Sequence, residues 1–228
     1  MLETLNGDES ILDLGCGNGE LARELAKRGH RGSYLGVDFS LPLLREAESQ
    51  PKHFSATFLQ IDLTSKNLMS VIARSRETAT KQSPSELGIA SSDYRPPRND
   101  GFDIVFLFAV LHHIPSREMR LNILRTVRHL LKPNGLFIHS NWQFLNSEKL
   151  KARIQPWEGA AVSGSDVDAG DYLLDWRSGG EGLRYVHHFS ESELGDLAST
   201  AGFQVVDTFY SDGEGGNLGL YQVWKPAL

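Results

Sequence analysis

The stretch Ile11-Leu12-Asp13-Leu14-Gly15-Cys16-Gly17-Asn18-Gly19 decides the fold class of this chain. A short apolar run that ends in glycines is typical of a buried strand followed by a tight turn. Residues 20–28 then repeat apolar side chains at helical spacing and end on two basic residues before Gly29, which predicts a helix. A glycine-rich turn between a first strand and a first helix lets the backbone approach a ligand closely.

Strands and helices alternate along the rest of the chain. Apolar runs predict strands over residues 34–37, 58–61, 102–109 and 136–140, and a hairpin over 203–210 and 218–224. Helices are predicted after a Ser40 cap, over 116–131, and after a capping box formed by Ser190 and Glu193. This order predicts an α/β fold, with a doubly wound, mostly parallel seven-stranded sheet that ends in an antiparallel hairpin. Its ligand crevice is expected at the carboxyl ends of the strands.

Two stretches fall outside this alternation, residues 64–100 and 142–189. The first contains a predicted helix over 68–76 and then a polar loop rich in serine and proline. We interpret both as insertions over the active-site crevice, where insertions commonly set substrate choice. We expect a single domain over residues 1–228.

The composition excludes several classes of protein. The 228 residues carry a net charge of −6, which argues against a surface built broadly for nucleic acid. The single cysteine, Cys16, excludes a disulfide framework and a multi-thiolate zinc site, and it suits a reducing cytoplasm. No apolar run reaches the roughly 20 residues that span a bilayer, and no signal peptide is recognisable. We therefore expect a cytoplasmic protein with no membrane contact.

Two acidic residues end the second and third predicted strands. Asp38 lies where an acid commonly accepts hydrogen bonds from ribose hydroxyls, and Asp62 lies at the end of the next strand. Taken singly, Asp38 is equally well a surface acid or a helix cap, and Asp62 is more often a turn residue. Together with the glycine turn they occupy the ends of three successive strands, which favours a nucleoside-containing cofactor.

These residues resemble the class I S-adenosylmethionine (SAM) methyltransferases. The resemblance rests on the G-x-G-x-G spacing after Asp13, on the two later acids, on residues 102–115 and on Leu131-Lys-Pro-Asn-Gly135. Nicotinamide dehydrogenases, which usually have G-x-G-x-x-G, are the nearest rival. The Asn/Asp-Pro-Pro-Tyr/Phe signature of enzymes that methylate base or glutamine nitrogens is absent after the fourth strand.

The resemblance implies SAM as the cofactor. Asp13 and the glycines would hold the methionine end, Asp38 the ribose, and Phe39 and Asp62 the adenine. Cys16 is a small apolar filler in this resemblance, without a redox role. The residues implied to bind the cofactor are Asp13, Gly15, Cys16, Gly17, Asn18, Gly19, Asp38, Phe39, Asp62, Leu63 and Phe108.

Two histidine pairs are candidates for chemistry. His112 and His113 follow the fourth strand, where either is a candidate base for a nucleophile that carries a proton. The alternative is that both are structural. A second pair, His187 and His188, invites a metal hypothesis, but adjacent residues of an extended chain face opposite ways, so we predict no metal site.

A narrower resemblance concerns the methyl acceptor. The stretches Ala109-Val-Leu-His-His-Ile-Pro-Ser-Arg-Glu-Met-Arg120, Gly170-Asp-Tyr-Leu-Leu-Asp-Trp-Arg177 and Tyr185-Val-His-His-Phe-Ser-Glu-Ser-Glu-Leu194 are similar to the tRNA wobble-uridine carboxymethyl methyltransferases. That family esterifies a carboxylate in the anticodon loop, and its eukaryotic members require a small zinc-binding partner protein. The residues expected to bind the substrate are Trp142, Trp176, Arg177 and Tyr185.

A basic arc on the predicted helix 116–131 also bears on the acceptor. We predict that phosphate can lie along its cationic side chains, although a solvated basic face is the commoner arrangement. The members of this arc are Arg117, Arg120, Arg125, Arg128 and Lys132.

The sequence thus predicts a SAM-dependent methyltransferase acting on an oxygen nucleophile, with a modified tRNA uridine slightly favoured. A small-metabolite O-, N- or C-methyltransferase is the alternative. The chain begins shortly before its first strand, whereas the family normally places helices there over the cofactor. A non-catalytic SAM-binding protein that lacks this N-terminal lid is therefore the alternative of another class.

Overall fold

The computed structural model describes residues 5–50, 52–65, 68–72, 101–160, 162–163, 167–176 and 182–227. Its main sheet has seven strands in the order β3-β2-β1-β4-β5-β10-β9. These strands are β1 (Ile11–Leu14), β2 (Tyr34–Asp38), β3 (Ala56–Gln60), β4 (Phe102–Phe108), β5 (Leu131–Trp142), β9 (Phe203–Ser211) and β10 (Gly219–Pro226). β1 to β5 pair in parallel, and β10 pairs antiparallel with both β5 and β9. The predicted doubly wound sheet with an antiparallel end is confirmed.

The central strands β1, β2 and β4 are apolar because the sheet is covered on both faces there. Alternate residues of β1 and β4 enter two different cores, as the two-residue period of a strand requires. Leu12 and Val105 lie in the larger core, and Ile11 and Ile104 lie in the smaller one. Because the two cores lie on opposite faces of the sheet, they hold in place the strands whose ends form the site.

Five helices with complete bounds accompany the sheet in the described part of the chain. They are α1 (Glu20–Lys27), α2 (Leu41–Ser49), α3 (Arg117–Leu130), α4 (Glu148–Lys151) and α5 (Glu191–Thr200). α1 and α2 cover the smaller core, and α3 and α5 cover the larger one. Residues 68–72 are also helical, and the rest of the helix predicted over 68–76 lies outside the described residues. Within the described ranges, no helix is both long enough and apolar enough to cross a membrane.

Of the two predicted helix caps, Ser190 makes its side-chain hydrogen bond and Ser40 does not. The Ser190 hydroxyl accepts from the Glu193 amide, so the Ser190 half of the predicted capping box of α5 is confirmed, whereas the Glu193 carboxylate lies against His187. Ser40 occupies the cap position of α2, as predicted, but its side chain makes no cap hydrogen bond. Pro42, at the second position of the helix, has no amide hydrogen, so one of the two amides that a Ser40 hydroxyl could cap is missing. The Asp38 carboxylate accepts from the amide of Ser40 itself at 2.8 Å.

The fifth strand begins earlier than predicted. β5 starts at Leu131, opposite Phe102 of β4, and the register then shifts before Ile104 pairs with Leu136. The Lys-Pro-Asn-Gly segment, residues 132–135, lies in this irregularity rather than in a separate turn. The shift leaves the later pairing of β4 and β5 regular up to the edge where both strands end.

Much of the stretch 142–189 forms a small second sheet. Its strands β6 (Ile154–Gln155), β7 (Asp171–Trp176) and β8 (Gly182–His187) pair antiparallel in the order β6-β7-β8. Phe144, Leu174 and Val186 form a separate buried cluster beneath it. The role of this sheet as an insertion over the crevice stays a prediction, as does that of residues 64–100, of which 73–100 lie outside the described residues.

Candidate functional site

The glycine turn, residues 15–19, joins β1 to α1 at the edge where the parallel strands end, which we call the carboxyl edge. The amides of Gly15 and Cys16 both donate to the Val37 carbonyl of β2, at 2.8 and 3.0 Å. The turn has positive φ at Gly15, Gly17 and Gly19, values of 78°, 54° and 77° that favour glycine.

The glycines of this turn differ in what surrounds them. A Cβ built at Gly15 would clash with the Val110 side chain, so the absence of a side chain there permits the close packing of this segment. A Cβ at Gly17 would meet nothing within 4 Å. The backbone at Gly17 therefore faces open space at the carboxyl edge, which fits the close approach of a cofactor.

Asp38 ties the glycine turn to the end of β2. Its Oδ2 accepts from the Gly17 amide at 2.9 Å, and its Oδ1 accepts from the Ser40 amide at 2.8 Å. Each carboxylate oxygen has a further lone pair for a ribose hydroxyl. Next to it, Phe39 is 71% exposed, so its ring presents an open face at the carboxyl edge. Such a face suits stacking on a planar base.

Asp62 and Asn18 make contacts inside the chain at this edge. Asp62 Oδ1 accepts from the amide and the hydroxyl of Thr64, which is the turn role that the sequence left open. Leu63, beside it, is buried. Asn18 donates to Glu46 of α2 at 3.0 Å and so links the glycine turn to α2. The predicted cofactor contacts of these three residues stay predictions.

Asp13 lies beneath the glycine turn and is only 3% exposed. The Tyr34 hydroxyl donates to its Oδ2 at 2.5 Å. Burial raises the pKa of Asp13 to about 7, and the hydrogen bond from Tyr34 offsets this rise only in part. Burial likewise raises the pKa of the Cys16 thiol, so this thiol stays protonated and fits the filler role.

The first histidine pair lies just beyond β4, with its two members in different surroundings. His112 is 1% exposed, its Nδ1 accepts from the Trp142 amide at 3.2 Å, and burial holds its pKa well below the usual range. Such a side chain is poorly placed to reach an acceptor, which favours a structural role. His113 Nδ1 lies 3.0 Å from the Tyr185 carbonyl, so it donates there and leaves Nε2 as the acceptor of the neutral ring. The base role of His113 stays a prediction.

The Tyr185 hydroxyl lies in a buried network that links α3 to the second sheet. Arg120, 1% exposed, donates to the Tyr185 oxygen at 2.5 Å, and the hydroxyl donates to Asp171 at 2.6 Å. His187 places Nδ1 2.5 Å from Asp171 and Nε2 2.9 Å from Glu193. The Tyr185 hydroxyl is thus engaged inside the protein, and its predicted substrate contact is untested. The Trp176 side chain and Arg177 lie outside what the structure describes.

The predicted phosphate-binding arc on α3 is wrong as a continuous surface. Arg120 is enclosed in the buried network, Arg128 donates to the Gly202 carbonyl at 3.1 Å, and Lys132 pairs with Asp103 at 2.8 Å. Arg117 and Arg125 remain exposed. Helical spacing placed the five side chains on one arc, but it carried no information on partners that lie far away in the sequence.

A cleft of about 100 Å³ opens at the carboxyl edge on the far side of β4, and we call it the acceptor cleft. It is lined by Ala109, Ser140, Asn141, Trp142, Asp212, Leu218 and Gly219. Trp142 is the predicted substrate residue that reaches it, whereas Asp212 was missed. The missed signal was topological: β9 pairs antiparallel with β10, as β5 does, so β9 runs parallel to β5 and ends at the same edge.

In the part of the chain described, no three His, Cys, Asp and Glu residues are grouped to hold a metal ion.

The two halves of the site lie on either side of the point where the strand order reverses, between β1 and β4. This switch point is where open α/β sheets bind their ligands. Acidic and glycine residues at β1 and β2 form one half, and the acceptor cleft at β4, β5 and the hairpin forms the other.

Comparison with known proteins identifies the family of the chain. Residues 1–208 match the methyltransferase domain family. A putative methyltransferase of Encephalitozoon cuniculi is 31% identical over 106 residues, 46% of each chain. A ubiquinone biosynthesis O-methyltransferase of Pasteurella multocida is 27% identical over 132 residues, 58% of this chain and 46% of the relative. The matches thus span less than half the length of these curated relatives.

The solved structures agree on the fold. A SAM-dependent methyltransferase of Methanosarcina mazei superposes with a TM-score of 0.67 at 22% identity, over 100% of this chain and 96% of the other. The chain therefore belongs to the methyltransferase domain family, whose cofactor is SAM, and it has the class I methyltransferase fold.

Proposed function

We propose that this chain transfers a methyl group from SAM to a small-molecule acceptor bound in the acceptor cleft. One observation carries the proposal: the glycine turn and the cleft adjoin at the switch point of the sheet. Val110 packs against Gly15 of the turn, and its neighbour Ala109 lines the cleft. A cofactor on the turn and an acceptor in the cleft would meet at this place.

The residues of the first half have the chemistry that SAM requires. Asp38 offers carboxylate lone pairs to ribose hydroxyls, Phe39 offers an open ring face to adenine, and Gly17 leaves room for the methionine portion. The family resemblance assigns Asp13 to the cationic amino group of SAM; in the structure this side chain is buried beneath the glycine turn and accepts from Tyr34. When bound, SAM supplies the methyl group on a sulfonium that becomes a neutral thioether. The protein aligns the acceptor and excludes water.

A small molecule is favoured over tRNA as the acceptor because three basic residues of the predicted phosphate-binding arc already bind partners within the chain. Arg120, Arg128 and Lys132 make contacts inside the chain and are not available to neutralise phosphates along α3. The Tyr185 hydroxyl, assigned to the uridine by resemblance, is held by Arg120 and Asp171. The name of the Pasteurella relative describes an O-methyltransferase of ubiquinone biosynthesis, which points to a small acceptor as well. A requirement for an activator protein rests on resemblance alone.

Transfer of labelled methyl from SAM tests the proposal. The purified chain is incubated with labelled SAM and either bulk tRNA or a small-molecule extract, and label is counted in each fraction. We expect label in the small-molecule fraction. Asp38→Ala should lower SAM affinity more than tenfold, as loss of charge-assisted hydrogen bonds does. Glu48→Ala, an exposed acid of α2, is the matched control and should keep both affinity and transfer.

Each of the other possible results would indicate a different function. Base-labile label in tRNA alone would favour the esterified uridine. SAM binding without label in any fraction would favour a non-catalytic binder. Tighter binding of a nicotinamide dinucleotide than of SAM, measured by calorimetry, would overturn the methyl-transfer proposal altogether.

A further inference from the structure

The hairpin of β9 and β10 brings an acid to the acceptor cleft. Gly219 of β10 pairs with Trp142 of β5 on one side and with Ser211 of β9 on the other. Asp212 follows Ser211 directly, so it lies where β9 ends, one strand away from the end of β5 and at the same edge of the sheet. Asp212 lines the cleft. In the sheet it lies on the other side of β4 from the acids that belong to β1 and β2.

Neighbouring contacts lead from the end of β4 to this acid. The Ala109 amide donates to Ser140 Oγ at 3.1 Å, and Ser140 lies opposite Tyr221 in the pairing of β5 with β10. The Tyr221 hydroxyl donates to Asp212 Oδ2 at 2.5 Å. Burial, with the bond to Asp212 next in effect, raises the pKa of Tyr221, so the phenol remains a donor. The Tyr221 hydroxyl thus holds Asp212 Oδ2 and leaves Oδ1 for an acceptor.

The surrounding backbone is shaped to fit the Asp212 side chain. A Cβ at Gly219 would lie 2.6 Å from Asp212 Oδ2, so glycine at this position makes room for the carboxylate. Asp212 itself has a φ of 68°, and Ala109, across the cleft, has a φ of 55°. Two of the three non-glycine residues with positive φ in the described chain thus line one cleft, and such strain clusters at functional sites.

The loop that follows Asp212 is fixed to the rest of the cleft wall. The Gln143 amide donates to the Leu218 carbonyl at 2.7 Å, and the Asn146 side chain donates to the Asn217 carbonyl at 2.8 Å. The Leu218 amide in turn donates to the Asp212 carbonyl at 3.1 Å. Asp212 is therefore held in position before an acceptor arrives.

We propose that Asp212 is the residue that binds the methyl acceptor and receives its proton, so that the cleft takes a hydroxyl or an amine and rejects a carboxylate. As the acceptor oxygen or nitrogen bonds to the methyl carbon, the carbon–sulfur bond breaks with its electron pair staying on sulfur. The acceptor proton passes to Asp212 Oδ1 and then to solvent. A carboxylate has no proton to give, and it would meet a like charge in the cleft. This inference rests on the proposed function for its methyl donor.

Binding of three matched probes tests the proposal without a known substrate. Phenol, benzylamine and benzoate are titrated against the full chain, alone and saturated with S-adenosylhomocysteine, by ligand-observed NMR. We expect phenol and benzylamine to bind and benzoate not to bind. Asp212→Ala should weaken the first two more than tenfold, and Asp212→Asn should admit benzoate. Asp207→Asn, an exposed acid of the same strand outside the cleft, is the matched control and should change nothing.

A second readout uses labelled methyl transfer to whichever probe is turned over. Asp212→Asn should lower kcat about 100-fold, as loss of a positioned base does, while the Kd for SAM stays unchanged. Benzoate binding equal to phenol binding, absence of probe binding to the unmutated chain, or probe binding that Asp212→Ala leaves intact would each overturn the proposal. Failure to bind S-adenosylhomocysteine would instead refute the proposed function, and the titrations without it would still decide the role of Asp212.

Discussion

Asp13→Asn should stabilise the fold and weaken SAM binding at the same time. Asp13 is buried beneath the glycine turn, and its pKa is raised from 3.8 to about 7. A carboxyl group whose pKa is higher in the folded state stabilises the fold only while it is protonated. The contribution of protonated Asp13 to the free energy of unfolding is complete below pH 3.8 and is lost as the pH rises through about 7.

The size of the effect follows from the shift. One pKa unit corresponds to about 1.4 kcal/mol, so the raised pKa costs the folded state about 4 kcal/mol at pH 8, where Asp13 is ionised. At pH 5.5 the cost is about 2 kcal/mol, because folding must then protonate a side chain that is ionised in the unfolded chain. Asparagine removes the charge and can still accept from Tyr34. The stability gained by Asp13→Asn should therefore be about 2 kcal/mol larger at pH 8 than at pH 5.5.

Urea unfolding of the unmutated chain and of Asp13→Asn at the two pH values measures this difference. The pH-dependent contributions of the other titrating groups are the same in both proteins and cancel. Asp62→Asn, an exposed acid at the same edge, is the matched control and should give the same small change at both pH values. Calorimetry should find SAM bound about 10- to 100-fold more weakly by Asp13→Asn, because a charge-assisted hydrogen bond is lost. A stability difference that does not vary with pH would refute the reasoning.

Three further predictions use variants matched within the chain. Arg120→Met leaves a buried carboxylate without its cation and should cost about 3–5 kcal/mol in urea unfolding, whereas Arg125→Met, exposed on the same helix, should stay within about 0.5 kcal/mol. Burial holds the pKa of His139 at about 3, so the fold loses stability as the pH falls below 6.5. His139→Leu should remove about 2 kcal/mol of the stability lost between pH 7 and pH 5, measured by the same unfolding assay. Gly17→Ala and Gly29→Ala both place alanine at positive φ in open space, at a cost of about 1–2 kcal/mol, but calorimetry should find SAM affinity lowered only by Gly17→Ala.

The cofactor half could be predicted from the sequence because its parts are local. The glycines and Asp13 are contiguous, and β1, β2 and β3 follow each other both along the chain and in the sheet. Apolar runs identify these strands since both faces are buried, and the end of each strand then identifies the carboxyl edge. Ser40 shows the limit of this logic, because it occupies the cap position of α2 but makes no side-chain cap bond, and Pro42 lacks one of the amides that such a hydroxyl binds.

Long-range partners could not be predicted in the same way. Arg120 has the sequence context of a solvated helix residue, yet it meets Asp171 and Tyr185, which belong to the second sheet. Only folding brings these residues together, and it converts an apparent phosphate-binding side chain into a buried structural one. The contact of His112 could not be predicted for the same reason, since its Nδ1 accepts from the Trp142 amide on β5.

The acceptor half illustrates how strand order determines function. β9 and β10 are the last two strands in the sequence, but β10 is inserted between β5 and β9. If β9 had paired with β5 instead, as an antiparallel neighbour, its end at Ser211 would face the opposite edge of the sheet and Asp212 would lie far from any cofactor. The inserted strand makes β9 parallel to β5, and the hydrogen bond from Tyr221 of that same inserted strand then holds the acid at the cleft. The antiparallel end of the sheet therefore supplies the acceptor side with an acid, as the parallel strands supply the cofactor side.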